Sequence, residues 1–288
     1  MIIVGSITNQ KEYYKYSNKE LDIEYCYKFN IKRVKLNKYQ IKDEFIKYKY
    51  QSIYRDSSSY LMCSNTNKVI DGHKHCDYLN VLFNDLLIDL GRYSYKRDET
   101  REFLIGPKAH NTINFINKNY YEPITNFVTK HEIKCLENEY IDNKEFKITK
   151  MSCIFGEEIK VSRYTIYNPK IGLLITDIIG TNDKCEYELY FNLGNNIRIN
   201  NNKIIELIND KDKYYYFNDR NLDIKINKVI FSPTYNVSNN TKQLLLKSDY
   251  KCITNCFMKN KCNIIIKYED NMIKYKIDDK ELEIEETL

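Results

Sequence analysis

The chain has 288 residues, 42% of them hydrophobic and 30% charged, a mixture that excludes a disordered segment. Its length allows one large domain with a short extra segment, or two small domains. The formal net charge is only +5, from 45 basic and 40 acidic residues. No Lys/Arg-rich block stands out, which argues against a nucleic-acid-binding arm.

Tyr occurs 27 times and Phe 12 times while Trp is absent, and Ile is plentiful. These residues favour strands. The 9 cysteines are odd in number and irregular in spacing, which reads as free, buried thiols in a reducing compartment. The cluster Cys252, Cys256 and Cys262 lacks the paired spacing of a zinc ribbon, so it reads as core. The apolar run Met1–Ile7 is too short for a signal peptide and has no basic flank. No stretch approaches the ~20 apolar residues of a membrane span. The expectation is a soluble chain with no membrane span, not exported by the usual route.

Residues 1–49 are charged and weakly periodic, an N-terminal extension of mixed structure. Ile2–Ile7 fits a strand, and the spacing of Ile41, Phe45 and Ile46 fits a helix over Lys35–Tyr50. From residue 50 to 288 the pattern changes to short strand-like runs with turn signals between them. The runs are Tyr60–Cys63, Tyr78–Phe83, Leu86–Leu90, Thr112–Ile116, Phe146–Phe155, Ile159–Tyr167, Gly172–Ile179 and Tyr187–Leu193. They continue with Lys203–Ile208, Leu222–Ile226, Cys252–Met258, Cys262–Tyr268 and Met272–Ile277. With 8 glycines and 4 prolines, Asn does most of the turning, as in Gly194-Asn-Asn196. Many short strands without intervening helices predict an all-β fold, a large antiparallel β-sandwich over residues 50–288.

The chain has four histidines, and three of them lie between residues 73 and 110. His73 and His75 form His-x-His, which on a strand would share one face. Asp77, Asp89 and His110 follow. Two or three imidazoles and a carboxylate on adjacent strands match what Zn²⁺ prefers. The spacing alone fits ordinary surface or core histidines equally well. His131 lies outside the cluster and reads as a surface residue.

The segment from Asp71-Gly-His-Lys-His75 through Asp89-Leu-Gly-Arg-Tyr-Ser-Tyr95, followed by Ala109-His-Asn-Thr112, resembles the heparinase II/III-like C-terminal domain. The later runs Ser162-Arg-Tyr-Thr-Ile166, Leu174-Ile-Thr-Asp177, Tyr187–Asn192 and Phe231-Ser-Pro-Thr-Tyr235 follow in the family's order. The resemblance covers roughly residues 50–288 and implies a supersandwich. It implies that His75, Asp89 and His110 ligate Zn²⁺ and that His73 faces the cleft as a catalytic group. The implied activity is β-elimination on an acidic, uronate-containing polysaccharide. Base and acid are then shared with a helical α/α toroid, which residues 1–49 cannot form. That toroid would come from a separate chain or from a longer protein.

Arg92, Arg101 and Asn111 are candidate substrate-binding residues, with surface ion pairs as the competing reading for the arginines. Tyr93 and Tyr95 read as packing residues. The family works mostly in the periplasm or outside the cell, at odds with the missing signal. Two other functions compete: a catalytically incomplete carbohydrate-binding or assembly module with a structural zinc, and a metal-dependent hydrolase.

Overall fold

The computed structural model describes residues 44–56, 59–65, 75–96, 98–124, 129–201, 204–209, 212–269 and 271–286. The expected strand at Ile2–Ile7 and the candidate His73 lie outside them. The chain divides into two compact units, and nearly all described residues belong to the one formed by Phe45–Tyr54 and Ser59–Leu288.

The strands in chain order begin with β1 (Glu44–Lys47), β2 (Gln51–Arg55), β3 (Tyr60–Ser64), β4 (Asn80–Phe83) and β5 (Ile113–Phe115). Next come β6 (Tyr121–Pro123), β7 (Thr129–His131), β8 (Ile133–Cys135), β9 (Glu139–Asp142), β10 (Lys147–Phe155) and β11 (Ile159–Asn168). They continue as β12 (Gly172–Gly180), β13 (Tyr187–Asn192), β14 (Arg198–Asn201), β15 (Ile205–Ile208), β16 (Lys213–Asn218) and β17 (Ile224–Thr234). The series closes with β18 (Val237–Ser248), β19 (Cys252–Met258), β20 (Ile264–Glu269), β21 (Met272–Ile277) and β22 (Lys280–Glu285). Among the described residues, one α-helix, α1 (Glu99–Ile105), interrupts them.

A nine-stranded sheet in the order β14-β15-β16-β19-β12-β11-β10-β8, with β9 also on β10, forms the centre. One face packs against β17-β18-β13-β5 and β1-β2-β3-β4. Leu173, Ile175 and Phe257 point that way, to Phe191, Leu244 and Phe83. The other face meets the C-terminal meander β20-β21-β22. Leu174, Ile178 and Met258 point there, to Ile273, Tyr275 and Ile284. With both faces covered, β11 and β12 are buried almost throughout, which is why they read as apolar runs rather than strict alternation. At the meander side the buried Glu286 takes hydrogen bonds from Tyr164 Oη and Ser162 Oγ and pairs with Lys150 (3.2 Å).

The antiparallel sandwich expected from the sequence is what forms. Two local expectations fail. Residues 44–47 of the predicted helix are strand β1, where Phe45 packs against the core and edge-on to Tyr140, contacts that local spacing does not show. Leu86–Leu90 is not a strand: Leu87 makes only single bridges to Phe83 and Leu193. Asn84 takes positive φ (48°), and the Leu86 and Leu87 amides turn back onto Phe83 O. The run is apolar because this loop is interior, with Leu86, Leu87 and Leu90 fully buried.

Candidate functional site

His75, Asp89 and His110 come together where three irregular segments meet one end of α1. Asp98 caps this helix by accepting from the Arg101 amide at 2.8 Å. Gly106 and Pro107 end it, and the 3₁₀ turn Pro107–Ala109 leads into His110. The last helical residue, Ile105, accepts the amide of Cys76 at 2.9 Å. The helix end therefore anchors the residue beside His75 and feeds the turn that delivers His110. Their rings lie 5.5 Å apart between centroids at 53°. The strand face expected for His-x-His does not extend to His75, since residues 75–79 are irregular and Leu79 has φ 53°.

Asp89 is set by its own loop. Its Oδ1 accepts the Gly91 amide at 2.9 Å, and its Oδ2 accepts from Asn80 Nδ2 at 3.3 Å. Gly91 has φ +81°, and a Cβ there would lie 2.1 Å from Ser232 O. Asp89-Leu-Gly91 is thus one device: the glycine permits the close approach and the carboxylate takes its amide. The remaining contact of Asp89 Oδ2 is His110 Nδ1 at 2.7 Å.

This contact governs the electrostatics. Burial opposes charge on both partners, yet their attraction outweighs it: the His110 pKa is raised and that of Asp89 lowered. His75 goes the other way, to about 4, chiefly by burial and then by repulsion from His110, Arg101 and Arg92. It is a neutral imidazole at pH 7. Buried His110 Nε2 has no hydrogen-bond partner. An imidazole whose Nδ1–H is held by a carboxylate while its Nε2 makes no hydrogen bond, with a second, neutral imidazole nearby, is the oriented form that binds a metal. The donor chemistry fits zinc through His75 and His110. Asp89 is occupied in holding His110, so among the described residues no three His, Cys, Asp or Glu side chains are arranged to hold a metal ion.

Beside this pair lies a cationic stack. The Arg92 guanidinium sits 3.6 Å from the centroid of the Tyr95 ring, and Arg101 sits 5.6 Å from it. Tyr235 packs on Tyr95 at 6.2 Å. Arg101 is buried and donates to Ser94 O at 2.8 Å. Its pKa is lowered by burial and by its neighbour Arg92. Tyr95 is exposed, whereas Tyr93 packs against Leu90, Leu104 and Ala109.

Asn111 is different from the sequence expectation. It is fully buried. Its amide donates to Val81 O and Ile88 O at 2.8 and 3.0 Å, and its Oδ1 accepts the Asn192 amide at 2.6 Å. It clasps the loops together and faces no open surface. Two positioning residues were not anticipated as such. Arg163 and Asp177, both fully buried, form a two-pronged pair at 2.7 and 3.0 Å. Arg163 Nη1 also donates to Leu79 O and Asn111 O at 2.7 and 2.6 Å. A charged pair inside two strands otherwise buried on both faces was the available signal.

The heparinase II/III-like, C-terminal family model matches residues 44–271. Among solved structures, the chain is similar to heparinase III (TM-score 0.65, 12% identity, 84% of this chain and 42% of that one). A second heparinase III gene product aligns with TM-score 0.67 at 15% identity, over 92% of this chain and 45% of that one. The heparan sulfate lyase HepC of Pedobacter heparinus aligns with TM-score 0.65 at 11% identity, over 90% and 44%. The chain thus spans less than half the length of each of these structures. No curated protein matches it by sequence. With most of the chain under the family model and the sandwich in common, the chain belongs to the heparinase II/III-like C-terminal family.

Proposed function

We propose that this chain is the sandwich half of a polysaccharide lyase acting on an acidic, uronate-containing glycan. The observation that carries the reading is the His75–Asp89–His110 group standing beside the Arg92–Tyr95–Arg101 stack. β-Elimination removes the C5 proton, breaks the C4–O4 bond and leaves a C4–C5 double bond. The C5 proton is weakly acidic, so the carboxylate must be neutralised, a base must take the proton, and the leaving oxygen must be protonated. Arg92 supplies fixed positive charge for a carboxylate or sulfate, with Arg101 behind it, and the exposed face of Tyr95 supplies a stacking surface for a sugar ring. His73, two residues before His75, is the proton-transfer group. Zinc held by His75 and His110, with Asp89 orienting His110, would fix the segment next to His73. The toroid half comes from another chain or from a longer form of this protein.

The test is ultraviolet absorbance from unsaturated uronate when the chain is mixed with heparan sulfate, hyaluronan or alginate, with and without a toroid partner. Absorbance that grows and is lost in His73→Ala is expected. Silence under every condition would overturn the lyase reading. Elemental analysis should find about one zinc per chain, lost in His75→Ala and His110→Ala. The alternative is a binding or assembly module in which the same group only staples the loops. It is favoured by how many bonds of Asp89 and Asn111 are spent on backbone. That module would bind an acidic-glycan column undiminished by His73→Ala.

A further inference from the structure

Cys135 and Cys153 face each other at the edge of the nine-stranded sheet. They are direct partners in the antiparallel β8–β10 register, with sulfurs 3.3 Å apart. On either side, the Leu136 amide donates to Ser152 O (2.8 Å) and the Gly156 amide to Glu132 O (2.7 Å). Hydrogen-bonded and non-hydrogen-bonded pairs alternate along an antiparallel ladder, so the 135/153 pair occupies a non-hydrogen-bonded site. Such sites bring Cα atoms to about 4.5 Å, within the roughly 4.4–6.8 Å that disulfide geometry accepts.

Asn65 braces the pair. Its Nδ2 donates to Leu136 O (3.1 Å) and Ser152 O (3.0 Å), the residues adjoining each cysteine. Its Oδ1 accepts from Cys153 Sγ at 3.0 Å. One buried amide therefore holds both flanking backbones and one of the thiols.

We propose that Cys135 and Cys153 are an oxidisable pair that closes into a cross-strand disulfide by exchange with a small-molecule disulfide such as oxidised glutathione. One cysteine thiolate attacks the glutathione disulfide, releasing one reduced glutathione and leaving a mixed disulfide. The second cysteine thiolate attacks the protein-side sulfur, which forms the Cys135–Cys153 bond and releases the second reduced glutathione. The two protein thiols lose two electrons and two protons in total, and the two released thiols carry them away.

Access sets the rate. Cys153 is fully buried, Cys135 is 4% exposed, and burial pushes the Cys153 thiol well above its ordinary range. In the closed sheet both sulfurs are therefore shielded from an attacking disulfide. But β8 is a three-residue strand at the sheet edge, where local opening is easiest. Oxidation proceeds through that opening and then locks the edge shut.

The full chain is incubated with oxidised glutathione, alkylated under denaturing conditions, digested and mapped by mass spectrometry without reductant. The expected result is one linked peptide pair containing Cys135 and Cys153, lighter by two hydrogens than the linear peptides and restored to them by reductant. In Cys153→Ser, Cys135 should instead retain a glutathione adduct. Should that variant not fold, the wild-type map decides alone. Full alkylation of both cysteines in the wild type, a persistent glutathione adduct on either, or linkage of either to another cysteine would overturn the proposal.

Discussion

The central strands β10, β11, β12 and β19 and the segment 75–112 both contain many fully buried side chains, yet they satisfy their backbones by different means. In the strands, ladder bonds do the work, and polar side chains such as Thr165 and Thr176 add hydroxyl contacts between neighbours. In the segment, the backbone outside β4 and α1 is mostly irregular, and carbonyls and amides are met by Asn80, Asn111, Asp89 and the guanidinium of Arg163. Regular structure satisfies itself, whereas a buried loop must be supplied with partners. The polar residues that serve the loop should therefore be far less replaceable than those that only bridge neighbouring strands.

The hardest blow to that contrast is Arg163→Met. It strands the carboxylate of Asp177 in the interior and frees the carbonyls of Leu79 and Asn111, so denaturant unfolding should register a loss of roughly 3–5 kcal/mol. Adding Asp177→Leu should recover part of it in a double-mutant cycle. A single-variant loss below about 1 kcal/mol would mean that the pair does not hold the loop. Asn111→Leu keeps the number of side-chain heavy atoms but abandons three backbone groups, and about 2–4 kcal/mol should go. Gly91→Ala must relieve a clash with Ser232 O at an unfavourable φ, for about 1–3 kcal/mol, and the shift of Asp89 should weaken zinc binding at the proposed site. In the sheet, Thr165→Val should stay near 1 kcal/mol, since only hydroxyl contacts are lost.

The smallest effect concerns charge in the regular region. Asp219 follows β16, and burial raises its pKa despite bonds from the Thr254 amide (2.7 Å) and Tyr268 Oη (2.9 Å). A carboxyl raised on folding favours the native state most below its unfolded pKa of about 3.9. That contribution is lost as pH rises through the raised native value. Asp219→Asn should flatten this slope in pH-dependent thermal melts and leave stability at pH 7 equal or higher. A marked loss at pH 7 would show the sheet to be as dependent on its carboxylates as the loop.

The same contrast explains what could be read in advance. Strand patterning located β10, β11, β12, β13 and β19 closely, because apolar runs bounded by Asn and Gly are unambiguous when both faces are covered. It missed β18, whose first half reads Val-Ser-Asn-Asn-Thr and looks like a turn. Pairing with β17 and the burial of Leu244 and Leu246 hold that strand in the sheet, and neither is visible locally. The His75–Asp89–His110 grouping was legible through the resemblance to the heparinase II/III-like C-terminal domain, whereas spacing alone fitted ordinary histidines equally well. The roles within it were not: whether Asp89 meets a metal or His110 depends on the bonds that Asn80 and Gly91 make to it. Asn111 looked like a ligand-facing amide for a similar reason, since sequence cannot show which polar residues a buried loop consumes.

Helix α1 ends in a single turn that both anchors the residue after His75 and leads into His110. The spacing between the two imidazoles is therefore a local dimension, set by a few covalent links and one hydrogen bond, and not by the docking of distant layers. Slow breathing of the sandwich would carry both rings along together. The first turn of the same helix, with Arg101, can then change to suit different ligands without retuning the distance between the histidines.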